Sequence, residues 1–222
     1  MSERTKAYYP LFADLNGRRC VVVGGGMVAQ RKVTTLLGYG AKITVVSPTA
    51  TLRIRRYAQR GQLEHLARRF RPSDLRGAWL VYAATDDQAI NGLVYREASR
   101  QRIFTNVVDQ KPLCSFIAPA IFRRGLLTVA VSTGGASPTV AKRLRRDLQR
   151  MIGSAYAPML RLLLALRGVA KRKLPGYNDR KRYFDRLVQG HVFELMRAGK
   201  TQRARHEALA LLEQLSVKNG SH

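Results

Sequence analysis

The sequence contains few cysteines and no long uninterrupted apolar run. Two cysteines, Cys20 and Cys114, occur among 222 residues, and their spacing fits neither a disulfide framework nor a metal-ligand motif. The most apolar late stretch, Met159 to Leu166, is interrupted by Arg161 and is far shorter than the ~20 residues that span a bilayer. The stretch Met1 to Tyr9 lacks the apolar core of a signal peptide. We therefore expect a cytoplasmic protein with no export signal, no membrane segment and no bound metal.

Acidic residues are also scarce. Only 14 Asp and Glu accompany 40 Lys and Arg, so the formal net charge is +26. That charge divides into +10 through residue 110 and +16 after it, so both halves are basic. The basic residues are interleaved with apolar ones, which indicates a folded surface and not a cationic tail. With 45% hydrophobic residues the chain can bury a core, and its charge requires an anionic partner or another explanation.

An apolar run that ends in three glycines begins an α/β pattern. The run Cys20 to Val23 stops at Gly24-Gly25-Gly26, and apolar residues then recur at helical spacing from Val28 to Leu37 before the next run, Ile43 to Val46. This succession predicts a right-handed βαβ unit of ~30 residues. Further strands are predicted at 63–66, 78–84, 103–108 and 126–132, with helices at 51–59 and 88–100. The alternation predicts a Rossmann-like, mostly parallel sheet covered by helices on both faces.

The chain after Ser137-Pro138 is predicted to be helical. Serine is a favoured helix N-cap, and proline is tolerated in the first turn. Apolar stripes at helical spacing then indicate two helices before the turn at Pro175-Gly176 and two after it. The fold class is therefore α/β followed by a helical region, with domain boundaries at 1–110, 111–150 and 151–222.

The string GGGMVA satisfies the pattern G-x-G-x-x-A with Gly24, Gly26 and Ala29. The first glycine permits a tight turn, the second lets the backbone approach a pyrophosphate, and the small third residue lets helix and strand pack closely. The free N–H groups of the helix N-terminus then face the phosphates. The alternative is a glycine-rich turn in an α/β sheet that binds no ligand.

The acidic residue that usually holds the ribose hydroxyls, ~20 positions after the glycines, is replaced by Ser47-Pro48-Thr49. Backbone groups and the Thr49 hydroxyl would have to take its place. Three arginines, Arg53, Arg55 and Arg56, follow closely and could neutralise a 2′-phosphate, or they form a solvated helix face. The spacing leaves NAD and NADP unresolved.

Carboxylates follow two later predicted strands. Thr85-Asp86-Asp87 comes after the run 78–84, and Asp109 ends the string NVVD that begins at Asn106. The carboxyl ends of parallel strands form the ligand-binding edge of such sheets, where Asp109 could act as a base. The alternatives are that the Asp86 and Asp87 carboxylates cap the next helix and that Asp109 is an ordinary loop residue.

A second glycine-containing turn, Ser132 to Pro138, joins the last predicted strand to the first long helix. Its small residues could leave backbone N–H groups free for an anion. Alternatively, the turn is a hinge between domains with Ser137 as a helix cap.

Taken together, four strings resemble the precorrin-2 dehydrogenase family, the dehydrogenase and ferrochelatase part of siroheme synthases. They are YYPLFADLNGRRCVVVGGGMVAQRK near the start, AATDD at 83–87, NVVD at 106–109 and STGGASP at 132–138. The resemblance implies oxidation of precorrin-2, a tetrapyrrole polycarboxylate, to sirohydrochlorin with NAD in preference to NADP. In some members ferrous iron is then inserted as a substrate. It also implies a homodimer, with an NAD-binding domain at 1–110, a dimerisation region at 111–150 and a C-terminal helical domain at 151–222.

The resemblance assigns roles to particular residues. Asp109 would be catalytic. The cofactor contacts would be Gly24, Gly25, Gly26, Met27, Val28, Pro48, Thr49, Thr85 and Asp86. The substrate contacts would be Asn106, Ser132, Thr133, Gly134, Gly135 and Ser137. Two other classes remain as alternatives, a basic nucleic-acid-binding regulator and a nucleotide-sensing regulatory domain, although the sequence has no recognisable zinc finger, RNA-binding motif or helix-turn-helix.

Overall fold

The structure, a computed structural model, describes the backbone of residues 7–219 and the side chains of residues 7–217. The stretch Met1 to Tyr9, in which we find no export signal, lies mostly outside this part of the chain. The described residues fall into two compact units, which divide between Ala118 and Pro119. Within residues 7–219 there is no helix long and apolar enough to cross a membrane. The predicted domain boundaries at 110 and 150 stay predictions.

The first unit is a five-stranded parallel sheet flanked by helices. Its strands are β1 (Arg19–Val23), β2 (Lys42–Val46), β3 (Glu64–Leu66), β4 (Leu80–Ala83) and β5 (Phe104–Val107), and its helices are α1 (Met27–Leu37), α2 (Leu52–Gln59) and α3 (Gln88–Arg100). The strand order is β3-β2-β1-β4-β5, and all four pairings are parallel. The predicted Rossmann-like sheet is confirmed.

The sheet is covered on both faces, which explains the continuous apolar runs of the sequence. Alternate residues of β1 enter two different cores, Cys20 and Val22 on one face and Val21 and Val23 on the other. All four side chains are buried. Helix α1 packs its buried residues on the face that contains Cys20 and Val22.

An ion pair between the buried Asp74 and the half-buried Arg68 stabilises the connection between β3 and β4. The Arg68 guanidinium donates two hydrogen bonds to the Asp74 carboxylate, at 2.6 and 2.9 Å, and the Arg71 N–H donates a third at 2.8 Å. Burial by itself raises the pKa of Asp74, but the hydrogen bonds from Arg68 and Arg71 outweigh it, so the pKa lies below its ordinary value. The folded protein therefore favours the ionised carboxylate.

We expect Asp74→Asn to destabilise the protein by about 1–3 kcal/mol at neutral pH, because the variant leaves buried donors without a charged acceptor. A depressed carboxylate pKa adds stability above the unfolded-state value near 3.9, and this stability is lost as the pH falls toward the folded-state pKa. Urea unfolding at pH 7 and pH 3 measures both effects. The difference between wild type and variant should shrink at pH 3, whereas exposed Asp14→Asn should behave as wild type at both pH values.

The second unit is an antiparallel hairpin followed by helices. Its elements are β6 (Ala120–Arg124), β7 (Leu127–Val131), α4 (Pro138–Met151), α5 (Tyr156–Lys173), α6 (Tyr177–Gln189), α7 (His191–Arg197) and α8 (Thr201–Asn219). Helices α5 to α8 bury a common core that includes Met159, Leu166, Tyr183 and Leu212. The prediction of a helical region after the sheet is confirmed.

Two details of this unit differ from the sequence predictions. The predicted strand 126–132 does not extend the parallel sheet; it is β7 and pairs antiparallel with β6, which the sequence analysis missed. The turn between them contains Gly125 at φ 61°. The predicted pair of helices after Pro175-Gly176 is three helices, because Gly190 ends α6 and begins α7.

Candidate functional site

The glycine turn lies at the topological switch point of the sheet, where the order in which strands are added changes from one side of β1 to the other. After β1 the chain adds β2 and β3 on one side, and then returns to add β4 and β5 on the other. Such a switch point leaves a crevice at the carboxyl ends of the two central strands, and open α/β sheets bind ligands there. Residue Gly24 directly follows β1 and therefore lies at this crevice.

The first two glycines of the turn are required by close packing. Gly24 has φ 116°, and a Cβ at this position would lie 2.2 Å from the Ala84 carbonyl oxygen. At Gly25 a Cβ would lie 1.9 Å from the Thr49 carbonyl oxygen. The turn is fixed by hydrogen bonds from Gly24 N–H to the Val46 carbonyl and from Thr51 N–H to the Gly25 carbonyl, both 2.9 Å.

Gly26 differs from Gly24 and Gly25 because a side chain at this position would face open space. No heavy atom lies within 4 Å of the position that its Cβ would occupy. Gly26 is the N-cap of α1, in an extended conformation, and no side chain caps the helix. The next two residues, Met27 and Val28, are exposed. The N–H groups of the first turn are therefore open to an anionic ligand, as the sequence predicts for a pyrophosphate.

The end of β2 contributes a polar loop without a carboxylate. Ser47 is buried, and its carbonyl lies 3.0 Å from Nε2 of His65, whereas Pro48 and Thr49 are exposed. Arg53 is held along its own helix, because its Nε donates to the Tyr57 hydroxyl at 3.0 Å.

The loop after β4 separates the two carboxylates that the sequence presents together. Asp87 caps α3, since its Oδ1 accepts hydrogen bonds from Ala89 N–H and Ile90 N–H at 2.9 and 3.1 Å. Asp86 is exposed, and within residues 7–217 its carboxylate forms no hydrogen bond or ion pair. The capping alternative is therefore confirmed for Asp87, and the predicted cofactor contact at Asp86 stays a prediction.

Thr85 is oriented by a residue that the sequence analysis missed. Its hydroxyl donates to Oδ1 of Asn91 at 2.8 Å, and its carbonyl accepts from Nδ2 of the same residue at 2.9 Å. Asn91 is 3% exposed and lies on the inner face of α3. An asparagine at an otherwise apolar helix position was the available signal.

Asp109 lies at the same edge of the sheet as the glycine turn, as predicted. Val23, Ala83 and Val107 are aligned across β1, β4 and β5, so the residues that follow them reach one edge. Asp109 is exposed and has φ 58°, a left-handed conformation that Asp and Asn tolerate better than most residues. Its carboxylate therefore projects from a tight turn, in which Gln110 N–H donates to the Val107 carbonyl at 3.2 Å.

The Asp109 turn is braced by Cys114, to which the sequence analysis assigned no role. The buried thiol donates to the carbonyl oxygens of Val107 and Gln110, at 3.2 and 3.4 Å. It thus binds both ends of the turn. The sequence around Cys114 gave no such signal, because both partners are backbone atoms.

Asn106 points away from solvent and links β5 to the following segment. It is 9% exposed, and its Nδ2 donates to the Phe116 carbonyl at 3.0 Å. The Phe116 ring in turn packs edge-on against Tyr82, with ring centroids 5.4 Å apart. Above the Tyr82 ring, 4.7 Å from its centroid, lies the Lys32 ammonium of α1. Lys32 is a further residue of this edge that the sequence analysis did not select.

The turn from Ser132 to Ser137 belongs to the second unit, and it is more closed than predicted. The N–H groups of Gly134, Ala136 and Ser137 donate to Ser132 Oγ, the Thr133 carbonyl and Thr133 Oγ1, at 3.0–3.1 Å. The prediction that the turn leaves its N–H groups free is therefore wrong for these three. Ser137 caps α4 by accepting from Val140 N–H at 3.2 Å, as predicted.

In chemical terms, the first unit offers an anion-binding helix start and a carboxylate at one sheet edge. Within the described residues no three His, Cys, Asp or Glu side chains cluster as metal ligands. The arrangement suits a phosphorylated ligand laid across the switch point, with a base near one end of it.

Family models match three successive parts of the chain. The model described as “Putative NAD(P)-binding” matches residues 11–120, “Sirohaem biosynthesis protein central” matches residues 124–151, and “Sirohaem synthase dimerisation region” matches residues 155–212. These matches follow the order sheet, hairpin with α4, and helices α5 to α8.

Similar proteins share these regions. The chain is 38% identical over 209 residues to siroheme synthase 1 of Serratia proteamaculans, covering 94% of this chain and 44% of the relative. It is 40% identical over 206 residues to the siroheme synthase of Thioalkalivibrio sulfidiphilus, covering 93% and 42%. The chain thus spans less than half the length of these relatives. Among solved structures it is similar to SirC, a precorrin-2 dehydrogenase, with a TM-score of 0.77, 29% identity, and coverage of 93% of this chain and 99% of SirC.

Proposed function

Because the chain belongs to the family of siroheme synthases and precorrin-2 dehydrogenases, we propose that it oxidises precorrin-2 to sirohydrochlorin with NAD. The observation that carries this proposal is one sheet edge with both an open helix start at Gly26 and an exposed carboxylate at Asp109. The first suits a dinucleotide pyrophosphate and the second suits proton removal. The two alternatives, a nucleic-acid-binding regulator and a nucleotide-sensing regulatory domain, would not require a carboxylate at this edge.

The residues of the edge fit a dinucleotide. Gly24, Gly25 and Gly26 would lie along the pyrophosphate, with the N–H groups of Met27 and Val28 at its oxygens. Pro48 and Thr49 would contact the ribose of the adenosine half, and Thr85 and Asp86 would contact the nicotinamide half. When bound, NAD supplies the acceptor for a hydride from the substrate.

The residues that would lie near the adenosine ribose support NAD as the cofactor. A 2′-phosphate is held in NADP enzymes by a nearby arginine, and Arg53 is the first arginine after the β2 loop. Its guanidinium is engaged by the Tyr57 hydroxyl and lies 5.7 Å from the Tyr57 ring centroid. This arrangement directs Arg53 along α2 and so supports NAD over NADP.

Asp109 would take the proton. Oxidation of precorrin-2 removes two hydrogens, one as a hydride and one as a proton, so a base must accept the second while the new double bond forms. The exposed Asp109 carboxylate forms no ion pair within residues 7–217 and is held by the turn that Cys114 braces. A carboxylate in these surroundings is available as that base.

Substrate contacts are proposed on both units. Asn106 lies beside the Asp109 turn, and Ser132, Thr133, Gly134, Gly135 and Ser137 form the second turn. We also propose a homodimer, supported by the match of residues 155–212 to a dimerisation region. Several apolar side chains on the helices of this unit are exposed, such as Leu144, Met151 and Leu164. A second subunit would cover such side chains, which supports the proposed homodimer.

Iron insertion is a second reaction that this site could support. Metallation of sirohydrochlorin by ferrous iron releases two pyrrole protons, and the Asp109 carboxylate could accept them one after the other, passing the first to solvent before it takes the second. Ferrous iron would be a substrate and not a resident cofactor. Metallation assays with ferrous iron and sirohydrochlorin, with a no-enzyme control, test this extension.

We expect purified protein to convert precorrin-2 and NAD to sirohydrochlorin and NADH. The kcat/KM with NAD should exceed that with NADP, because the Tyr57 hydroxyl holds the Arg53 guanidinium along α2. Absorbance at 340 nm and the sirohydrochlorin spectrum measure the two products independently. No turnover with either cofactor would contradict the dehydrogenase proposal, and a preference for NADP would contradict the role given to the ribose end.

A further inference from the structure

We propose that Lys32 binds a carboxylate of the substrate beside Asp109, an inference that rests on the proposed function and adds a recognition residue to it. Lys32 is the last residue of the first string that carries the family resemblance, but neither that resemblance nor the glycine motif assigns it a role. It lies on the second turn of α1, on the side that faces β4. Its ligand would be one of the acetate or propionate groups at the rim of a tetrapyrrole.

The position of Lys32 relative to the site follows from the sheet register. Its ammonium lies over the ring of Tyr82 at 4.7 Å from the centroid. Tyr82 is the β4 partner of Asn106 on β5, and Asp109 follows Asn106 after three residues. Burial and the charge of Arg31 hold the pKa of Lys32 below its ordinary value, and Asp109 is among the groups whose charge opposes this shift. Lys32 and the candidate base therefore belong to one neighbourhood.

Within residues 7–217 the ammonium of Lys32 forms no ion pair with any carboxylate, that of Asp109 included. Tyr82 cannot supply a negative charge, because burial raises the pKa of its hydroxyl to about 12. Besides the Tyr82 ring, the groups whose charges act on Lys32 are Arg31, Cys114 and Asp109.

A half-buried lysine without a carboxylate partner lowers the stability of the folded protein, unless it binds a ligand that supplies the missing charge. Burial, and then the charge of Arg31, lower the pKa of Lys32, which means that the surroundings disfavour its charged form. A carboxylate ligand would reverse both effects by supplying an opposite charge and hydrogen-bond acceptors. A cation–π contact with Tyr82 fixes the ammonium without neutralising it. The site is therefore suited to an anion that arrives with the substrate.

The alternative is a purely structural role, in which Lys32 only covers the Tyr82 ring with its methylene chain. The two roles predict different responses to Lys32→Met, which keeps the chain length and removes the charge. If Lys32 only covers the ring, the variant should bind anionic tetrapyrroles as wild type does. If Lys32 binds a carboxylate, affinity should fall while the fold is retained or becomes more stable, because an unpaired half-buried charge has been removed.

The experiment measures binding separately from turnover. Uroporphyrin, a stable porphyrin with eight carboxylates, serves as the probe, and its fluorescence is titrated with the full chain. We expect Lys32→Met to weaken uroporphyrin binding about tenfold and to raise the KM for precorrin-2 by a similar factor, with a smaller change in kcat. NAD affinity and the thermal midpoint should not fall. Lys32→Arg should restore most of the binding, because it restores the charge.

Lys42→Met is the matched control. Lys42 begins β2 and is exposed, at the opposite end of the sheet from the glycine turn, so its loss should leave uroporphyrin binding unchanged. Wild-type affinity in Lys32→Met, or an equal loss in Lys42→Met, would overturn the proposal. If Lys32→Met does not fold, Lys32→Gln and Lys32→Arg are compared in the same titration, and equal affinities would also overturn it. Absence of precorrin-2 turnover in wild type would refute the dehydrogenase and leave the binding result to decide on Lys32.

Discussion

Replacement of Asp109 by asparagine is expected to lower kcat for precorrin-2 oxidation by about 10²–10⁴-fold, the usual contribution of a general base. Asparagine is the informative substitution because Asp109 has φ 58°, and asparagine tolerates this conformation where alanine would strain the turn. The variant removes the proton acceptor and leaves the backbone, the Cys114 brace and the side-chain volume nearly unchanged.

The matched control for this variant is Asp14→Asn. Asp14 is an exposed aspartate of the same unit whose Oδ1 accepts from Asn16 N–H at 3.0 Å, a bond that asparagine can also accept. Asp109→Asn should bind NAD as tightly as wild type, measured by calorimetry, whereas Asp14→Asn should be unchanged in both binding and rate. A rate for Asp109→Asn within about threefold of wild type would remove this residue from the proposed mechanism. A parallel loss of NAD affinity would assign it to cofactor binding instead.

The second large effect is expected from Gly26→Ala, which should fold as wild type and bind NAD at least tenfold more weakly. Its φ of −75° is accessible to alanine, and the added methyl group meets no protein atom within 4 Å. The methyl group would instead occupy the space through which a pyrophosphate approaches the backbone. A tenfold loss corresponds to about 1.4 kcal/mol of binding free energy.

Two other glycine variants separate this effect from folding. In Gly25→Ala the new Cβ would lie 1.9 Å from the Thr49 carbonyl oxygen, so the backbone must move, and we expect a loss of about 1–3 kcal/mol in unfolding free energy. In Gly153→Ala the methyl group meets open space, as at Gly26, but in the second unit. Thermal unfolding with and without NAD compares the three proteins. Gly153→Ala should keep the NAD-dependent rise in midpoint, and Gly26→Ala should lose it; an unchanged NAD affinity in Gly26→Ala would contradict the placement of the pyrophosphate.

Local sequence patterns were sufficient for the parallel sheet. The two central strands β1 and β4 and their neighbour β2 are apolar runs next to a helix of the correct period, and such βαβ units have one favoured handedness. The hairpin was harder to predict, because β6 carries Arg123 and Arg124 and does not read as an apolar run. Its partner β7 is an apolar run like those of the parallel sheet, and sequence periodicity alone cannot decide between parallel and antiparallel pairing.

For the site, the motif located Gly24 to Gly26 and the strand ends located Asp109. The residues that orient these groups were not found, because their partners are distant in sequence or are backbone atoms. Asn91 orients Thr85 through side-chain and carbonyl bonds, and Cys114 binds two carbonyl oxygens. Lys32 was missed for a related reason, since only the register of β4 and β5 brings it close to Asn106 and Asp109.

The packing of Gly24 also determines when the cofactor turn can form during folding. One wall of its space is the Ala84 carbonyl, and β1 pairs with β4, whose Ala83 follows Val23 by 60 residues. Pairings of such long sequence separation form slowly and late. A growing chain that has already added β2 to β1 still lacks this wall, so it presents the glycine motif without its final shape. The glycine turn therefore reaches its final shape only after β4 has paired with β1, and a dinucleotide that binds this turn would stabilise only chains in which β4 has docked.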